Sequence, residues 1–387
     1  MRSDGSTGRF GSCGPLCATA ALTVVLAVGP AIASSPEAEV DVSLAAGYQG
    51  LGEVAVDPLD PDAVVVTGWD AGAAGPVAWS SVDGGTSFTS TALPLTYDGH
   101  AFAEGSEPSV AVNRDGVWYA AYEVHDLDGG NNPIDSSVVV ARSFDGLLWE
   151  PAAIVENNRG SGASPSVETP HIAVDPDPDG CTSYEGRVHL VWVRDTGADR
   201  GIYRSYSADA GASWSSASKI NDGASGSEDV WRPRVAAGPD GEVYVAWLDD
   251  LQKTIVVDFS DNCGIGFTTD VNAAGVTLGC GAGDCGRDLG CSGGALHGST
   301  PALAVDVSWS ASRGRVYVGF ADEVVPANGM DVFVTSSDDD GATWSPTTRV
   351  HGDVTRQQYG PALAVQPVDG DLHAAWYDRR ADDVGPD

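Results

Sequence analysis

Ser207-Ala208-Asp209-Ala210-Gly211-Ala212-Ser213-Trp214 and Ser337-Asp338-Asp339-Asp340-Gly341-Ala342-Thr343-Trp344 are two writings of one turn. A third is Ser81-Val82-Asp83-Gly84-Gly85-Thr86-Ser87-Phe88, and two altered copies follow the same plan around Asp145 and Asn262. The copy at Asp145 is one residue short, and the other carries Asn262 where the rest have Asp. A short carboxylate can take hydrogen bonds from nearby backbone N–H groups, and Gly supplies a backbone angle closed to other residues. The aromatic ring then covers the apolar side of a hairpin. A turn of this kind five times in one chain predicts a repeated β unit.

Working outward, a strand precedes each turn, and a sixth copy of that strand follows the last turn. Its copies are Gly52-Glu53-Val54-Ala55, Pro108-Ser109-Val110-Ala111, Pro170-His171-Ile172-Ala173, Pro233-Arg234-Val235-Ala236, Pro301-Ala302-Leu303-Ala304 and Pro361-Ala362-Leu363-Ala364. The period is about sixty residues. The invariant Ala suits an innermost strand crowded by its neighbours. A second strand ends in an aromatic (Trp69, Tyr122, Trp192, Trp247, Phe320, Trp376) with an acid just beyond (Asp70, Glu123, Asp195, Asp249, Asp322, Asp378). Third strands run into the Asp turns, fourth strands lead to the next unit, and no stretch has sustained helical periodicity. The pattern predicts an all-β chain, a six-bladed β-propeller of four-stranded antiparallel blades.

The turns resemble the Asp-box, or BNR repeat, of the sialidase (neuraminidase) superfamily, and six units match the six blades of that family. The resemblance covers residues 39–387. It implies structural roles for Asp83, Asp145, Asp209, Asn262 and Asp339, on a rim remote from the active centre. It also implies glycan recognition or exo-glycosidase hydrolysis of sialidase type at the mouth of the funnel. Catalytic members carry an Arg triad, an Arg-Ile-Pro signature in the first blade, an Asp acid/base and a Tyr nucleophile assisted by Glu. Here the first blade opens Tyr48-Gln49-Gly50-Leu51-Gly52 and has no Arg. That departure favours the competing reading, a non-catalytic extracellular propeller that binds or scaffolds.

Candidate site residues precede the inner strands, on the face opposite the Asp turns. Ser106 and Glu107, Glu168 and Thr169, Trp231 and Arg232, and Tyr359 and Gly360 stand two and one before the aligned Pro. By the resemblance, Tyr359 with Glu168 or Glu107 could form a reduced version of the family's catalytic set. Arg232, with Arg356 or Arg379, could hold an anion in bidentate fashion beside Trp231. The structural alternative is an ion-pair ring of Glu107, Glu168 and Arg232 closing the funnel. The six strand-end acids could bind Ca²⁺, with the loop His125-Asp126-Leu127-Asp128-Gly129-Gly130-Asn131-Asn132 as the best single candidate. The preferred reading is that they are strand-end acids facing water or pairing with backbone, because the spacing departs from an EF-hand loop.

Residues 1–33 read as a secretory signal, with Arg2 and Arg9, an apolar run and Ala31-Ile32-Ala33 before Ser34; residues 34–387 form the propeller domain. The run is too short to span a membrane, so an exported protein without membrane insertion is expected. A formal charge of −35 repels nucleic acid and anionic membranes. Export favours disulfides, and Cys181 and Cys263 fall on one face of adjacent units. Cys280, Cys285 and Cys291 are read as a disulfide-pinned loop in preference to a zinc site with His297, because no CxxC pair is present. The sixth unit has only two strands. Strand 39–44 is expected as its outermost strand, and the missing third strand suggests a chain continuing past Asp387, with direct pairing of the two as the alternative.

Overall fold

A computed structural model describes residues 42, 49–70, 73, 75–176, 186–224, 226–277, 300–325, 329–352 and 358–378. The signal segment, Cys181, the 280–297 loop, Arg356, Arg379 and most of strand 39–44 lie outside these residues.

Among the described residues there is no helix, and each repeat unit folds as an antiparallel meander. The first blade is β1 (Gln49–Val56), β2 (Val64–Asp70), β3 (Gly75–Ser81) and β4 (Thr89–Ala92). A small hairpin, β5 (Thr96–Tyr97) and β6 (His100–Ala101), leads to the second: β7 (Glu104–Val112), β8 (Trp118–Leu127), β9 (Pro133–Ser143) and β10 (Glu150–Glu156). The third is β11 (Ser166–Val174), β12 (Val188–Asp195), β13 (Arg200–Ser207) and β14 (Ser218–Lys219). The fourth is β15 (Val230–Ala237), β16 (Val243–Asp249), β17 (Thr254–Ser260) and β18 (Val271–Gly275). The fifth is β19 (Ala302–Val305), β20 (Val316–Val325), β21 (Gly329–Ser337) and β22 (Thr348–Arg349). A sixth sheet has two strands, β23 (Gln358–Val365) and β24 (Leu372–Asp378). The fold is therefore a β-propeller, and among the described residues it has five four-stranded blades and a two-stranded sixth, as the two strands of the sixth sequence unit predict.

Inner strands pack side by side in the order β1, β7, β11, β15, β19, β23, which is the order of the ring. The core lies between blades. Tyr122, Trp192, Trp247 and Phe320, the aromatics ending the second strands, are buried there. Val42 is buried against Val66, Val77 and Trp79, on the face of the first blade that does not meet the second.

The Asp turns close as their sequence requires. Ser81 Oγ donates to Asp83 Oδ1 at 2.7 Å, the Ser87 N–H to the same oxygen at 2.9 Å, and Ser87 Oγ to Oδ2 at 2.6 Å. Asp209 and Asp339 repeat all three bonds. Asn262 keeps those to its carbonyl oxygen, from Ser260 and Gly266. In the short copy Asp145 takes the N–H groups of Leu147 and Leu148. The glycine of each turn has positive φ, 81° at Gly211 and 82° at Gly341.

Register places these turns and the candidate site at opposite ends of the blades. In the third blade Val188 pairs with Ser207 beside the turn, while Glu168 pairs with Val193 and Val193 with Ile202 at the far end. One expectation is corrected. In five of the six units the residues before the aligned position lie within the inner strand, not in an inter-blade loop, and that strand bulges there; β19 begins only at Ala302. Pro has no N–H to give the ladder, so the extra residue of a bulge accommodates it. Glu107, Thr169, Arg232 and Gly360, the residues just before Pro, have φ of 52°, 50°, 51° and 61°. For the three with a Cβ this costs about 1 kcal/mol each and turns the side chain out of the strand's alternation.

Candidate functional site

The bulges bring four of the sequence-predicted residues together. Glu107 reaches from β7 to the third blade, where its Oε2 accepts the Thr169 N–H at 2.8 Å. Its other oxygen lies 3.6 Å from Nη2 of Arg232 in β15. Burial pushes the Glu107 carboxyl upward, Arg232 opposes this, and the nearby Glu123 and Glu168 reinforce it. Arg232 is 12% exposed and, among the described residues, that ion pair is its only polar side-chain contact. Burial, with Arg234 and Arg200 close by, lowers its pKa.

Glu168 is held differently. Arg200, at the start of β13, donates to both its oxygens, Nη1 at 3.3 Å and Nη2 at 2.5 Å. The same guanidinium donates to Asp195 Oδ2 at 2.9 Å and to the Val230 carbonyl at 2.8 Å, and stacks 3.6 Å above the Trp231 ring. Burial lowers the Arg200 pKa, but Glu168 and Asp195 outweigh it and raise the net value. Sequence reasoning missed Arg200. The signal was there: a strand-end acid, Asp195, faces Arg200 across a tight hairpin.

Tyr359 occupies the same register position of β23 as Glu168 does of β11, opposite the second-strand end, and its ring stacks on Tyr377 with centroids 5.4 Å apart. It shares the tier of the charged cluster but stands on the sixth blade, whereas that cluster is built by blades two to four. Between blades two and three a cleft of about 210 Å³ opens, lined by Glu123, His125, Ser136, Ser166, Val167 and Glu168 among others. His125 is buried between Glu123 and Glu104, 3.7 and 3.4 Å away, and these carboxylates raise its pKa although burial lowers it.

The strand-end acids serve the protein itself. Glu123 accepts from Ser106, Asp195 from Arg200, Asp249 from the Leu251 and Gln252 N–H groups, Asp322 from Thr277 and Asp378 from Gln358. In the 125–132 loop the Asp128 carboxylate takes the Gly130 and Asn132 N–H groups. Among the described residues no group of three or more His, Cys, Asp or Glu is arranged to hold a metal. Cys263, the one described cysteine, is disulfide-bonded, so its partner lies outside the described residues.

Solved structures with this fold include glycan-acting enzymes. The chain is similar to the Hadza microbial sialidase Hz136 at 14% identity and a TM-score of 0.55, covering 84% of this chain and 62% of that one. It is similar to the NanB sialidase of Streptococcus pneumoniae at 9% identity and 0.56, covering 87% and 68%. It is similar to the alpha-L-arabinanase of Penicillium chrysogenum at 12% identity and 0.54, covering 86% and 94%. No protein-family model matches the chain, and no curated protein matches it in sequence. The class that the fold defines is thus a β-propeller of the architecture found in sialidases and arabinanases. Among the described residues no helix is long and apolar enough to cross a membrane.

Proposed function

We propose that this chain is an exported Asp-box propeller of the sialidase superfamily that takes an acidic glycan at the mouth of its funnel and hydrolyses it from the end. One observation carries the reading. Arg232 is nearly buried, yet its guanidinium makes no hydrogen bond among the described residues and has a single ion pair at 3.6 Å. A fork of donors left open in a protein of charge −35 suits a ligand carboxylate, which it can grip in bidentate fashion.

The remaining roles follow from the surroundings. Hydrolysis needs a proton for the leaving oxygen and a nucleophile at the anomeric carbon. Glu107, whose carboxyl is pushed upward by burial, is suited to carry that proton. Tyr359 is the nucleophile, Trp231 a wall for the sugar ring, and Arg356 and Arg379 further candidates for the anion. Glu168 is a positioning residue, because Arg200 occupies both its oxygens.

That last contact also favours a second reading, a glycan-binding module without turnover, since a Glu so engaged is a poor base. Release of the fluorophore from a 4-methylumbelliferyl sialoside separates the two. The hydrolase reading expects release, reduced at least about 100-fold in Arg232→Ala and in Tyr359→Phe, the scale of losing a group used in the transition state. Binding of the sialoside without release leaves the module, and neither binding nor release removes the acidic-glycan reading.

A further inference from the structure

Among the described residues Trp309 is the most exposed large apolar side chain, at 83%. It stands in the connection between β19 and β20. The pairing of Val305 with Val316, and of Val316 with Ser337, places that connection on the face of the Asp turns. Arg232 and the mouth are at the other end of the blades.

The indole is held out on a rigid loop. There the Asp306 carboxylate takes the Ser308 N–H at 2.8 Å and the hydroxyls of Ser310 and Ser312 at 2.9 and 2.8 Å. Gly370 of the sixth blade packs against the same loop so closely that a Cβ there would fall 2.5 Å from both Asp306 Oδ2 and Ser310 Oγ. Arg313 lies 4.2 Å over one face of the indole. Its guanidinium is fixed by the Val307 and Ser308 carbonyls at 3.1 and 3.3 Å, and by Asp240 of the fourth blade at 3.1 Å. The other face of the ring is open to solvent.

Phe144, in the Asp turn of the second blade, repeats the arrangement. It is 65% exposed, with Arg142 4.9 Å from its centroid. Arg142 is held by Glu150 at 3.1 Å and by the Ala210 carbonyl of the third blade at 3.5 Å. The second and fifth blades are three apart in the order of the ring, so one face presents two separate aromatic platforms.

A preset ring with one open face fits a pyranose. Aromatic faces are negative, the axial C–H bonds of a β-linked pyranose are polarised positive, and a fixed ring loses little freedom on contact. Both guanidinium groups are already engaged, and a charge of −35 repels an acidic chain. A protein partner would need an apolar core to its interface, whereas Trp309 is flanked by Ser310, Ser312, Arg313 and Asp240. We propose that the Asp-turn face binds an uncharged β-linked polysaccharide, which stacks on Trp309 and Phe144 while Asp240 and Glu150 accept its hydroxyls. This site is separate from the mouth and does not rest on the function proposed there.

Affinity electrophoresis of the full chain through gels holding mixed-linkage β-glucan or β-mannan tests the assignment. Wild-type protein should be retarded by at least one of the two. In Trp309→Ala the dissociation constant should rise at least about ten-fold, and in Phe144→Ala about three-fold, with folding checked by melting temperature. Trp309→Tyr, which restores a ring, should recover most of the loss; a structural role in the loop alone would not predict that. The carboxymethylated form of the same polymer should retard wild type less. No retardation by either neutral polymer overturns the proposal, as does undiminished retardation in Trp309→Ala or equal retardation by the anionic form. Retardation lost in Arg232→Ala but kept in Trp309→Ala would move the sugar to the mouth and overturn it as well.

Discussion

At Arg200 one guanidinium serves two carboxylates, a carbonyl and an indole face. It is 11% exposed, and Glu168 and Asp195 are each about one-third exposed. Removing it leaves two partly desolvated anions with no counter-charge. Arg200→Ala should therefore destabilise by about 3 kcal/mol, the low end for breaking a buried pair. Arg200→Lys keeps the charge but loses the fork, and should fall between. Urea denaturation midpoints of the three proteins check this. A midpoint unchanged in Arg200→Ala would show that the cluster contributes nothing to stability.

Between elements, the turn after β17 illustrates how one blade is tied to the next. Cys263 sits in that turn at φ 61° and is disulfide-bonded. Its carbonyl accepts a hydrogen bond from Arg187 Nη1 at 2.5 Å, just ahead of β12 in the preceding blade. Cys181 is six residues before Arg187, a span of at most about 20 Å. The expected pairing is Cys181 with Cys263, which would clip the first-to-second-strand loop of blade three to the Asp turn of blade four. Peptide mapping without reduction should recover the joined peptide, and a Cys181 peptide that alkylates freely refutes the pairing.

For the whole molecule, one contribution to pH dependence comes from the seam between blades three and four. Asp222 and Asp270 exchange backbone N–H bonds there, with Asp258 and Glu228 close by. Burial raises Asp258 to about 6 and Asp270 to about 7 from an ordinary 3.8. The folded state thus holds these protons more tightly than the unfolded chain. Stability from them is complete below about pH 4 and is lost as pH rises through 6 and 7. The melting temperature should fall from pH 5 to pH 8. The charge of −35 adds repulsion in the same direction, so the variant isolates the seam. Asp270→Asn should flatten the profile and stabilise at pH 8 by on the order of 1 kcal/mol, once solvent screening of half-buried groups is allowed for. A wild-type profile flat from pH 5 to 8 would contradict the seam's role.

The strand order, the Asp turns and the end of the blades on which the candidate residues lie were legible in the sequence, because each depends on local chemistry. Ser81, Asp83, Gly85 and Ser87 complete their bonds within seven residues, and alternation along a strand needs no distant partner. The aligned Pro even marked the tier of Glu107, Glu168, Arg232 and Tyr359. What the sequence could not decide was who faces whom. The pairing of Glu107 with Arg232 and the meeting of Glu53, His171 and Arg234 join residues from different blades, and the grip of Arg200 on Glu168 joins the first and third strands of one blade. Those pairings arise when the ring closes and charges about 30 to more than 180 residues apart are forced to a common axis. Only the tertiary structure sets such distances, and the choice of partner there follows from burial and reach instead of any repeat in the chain.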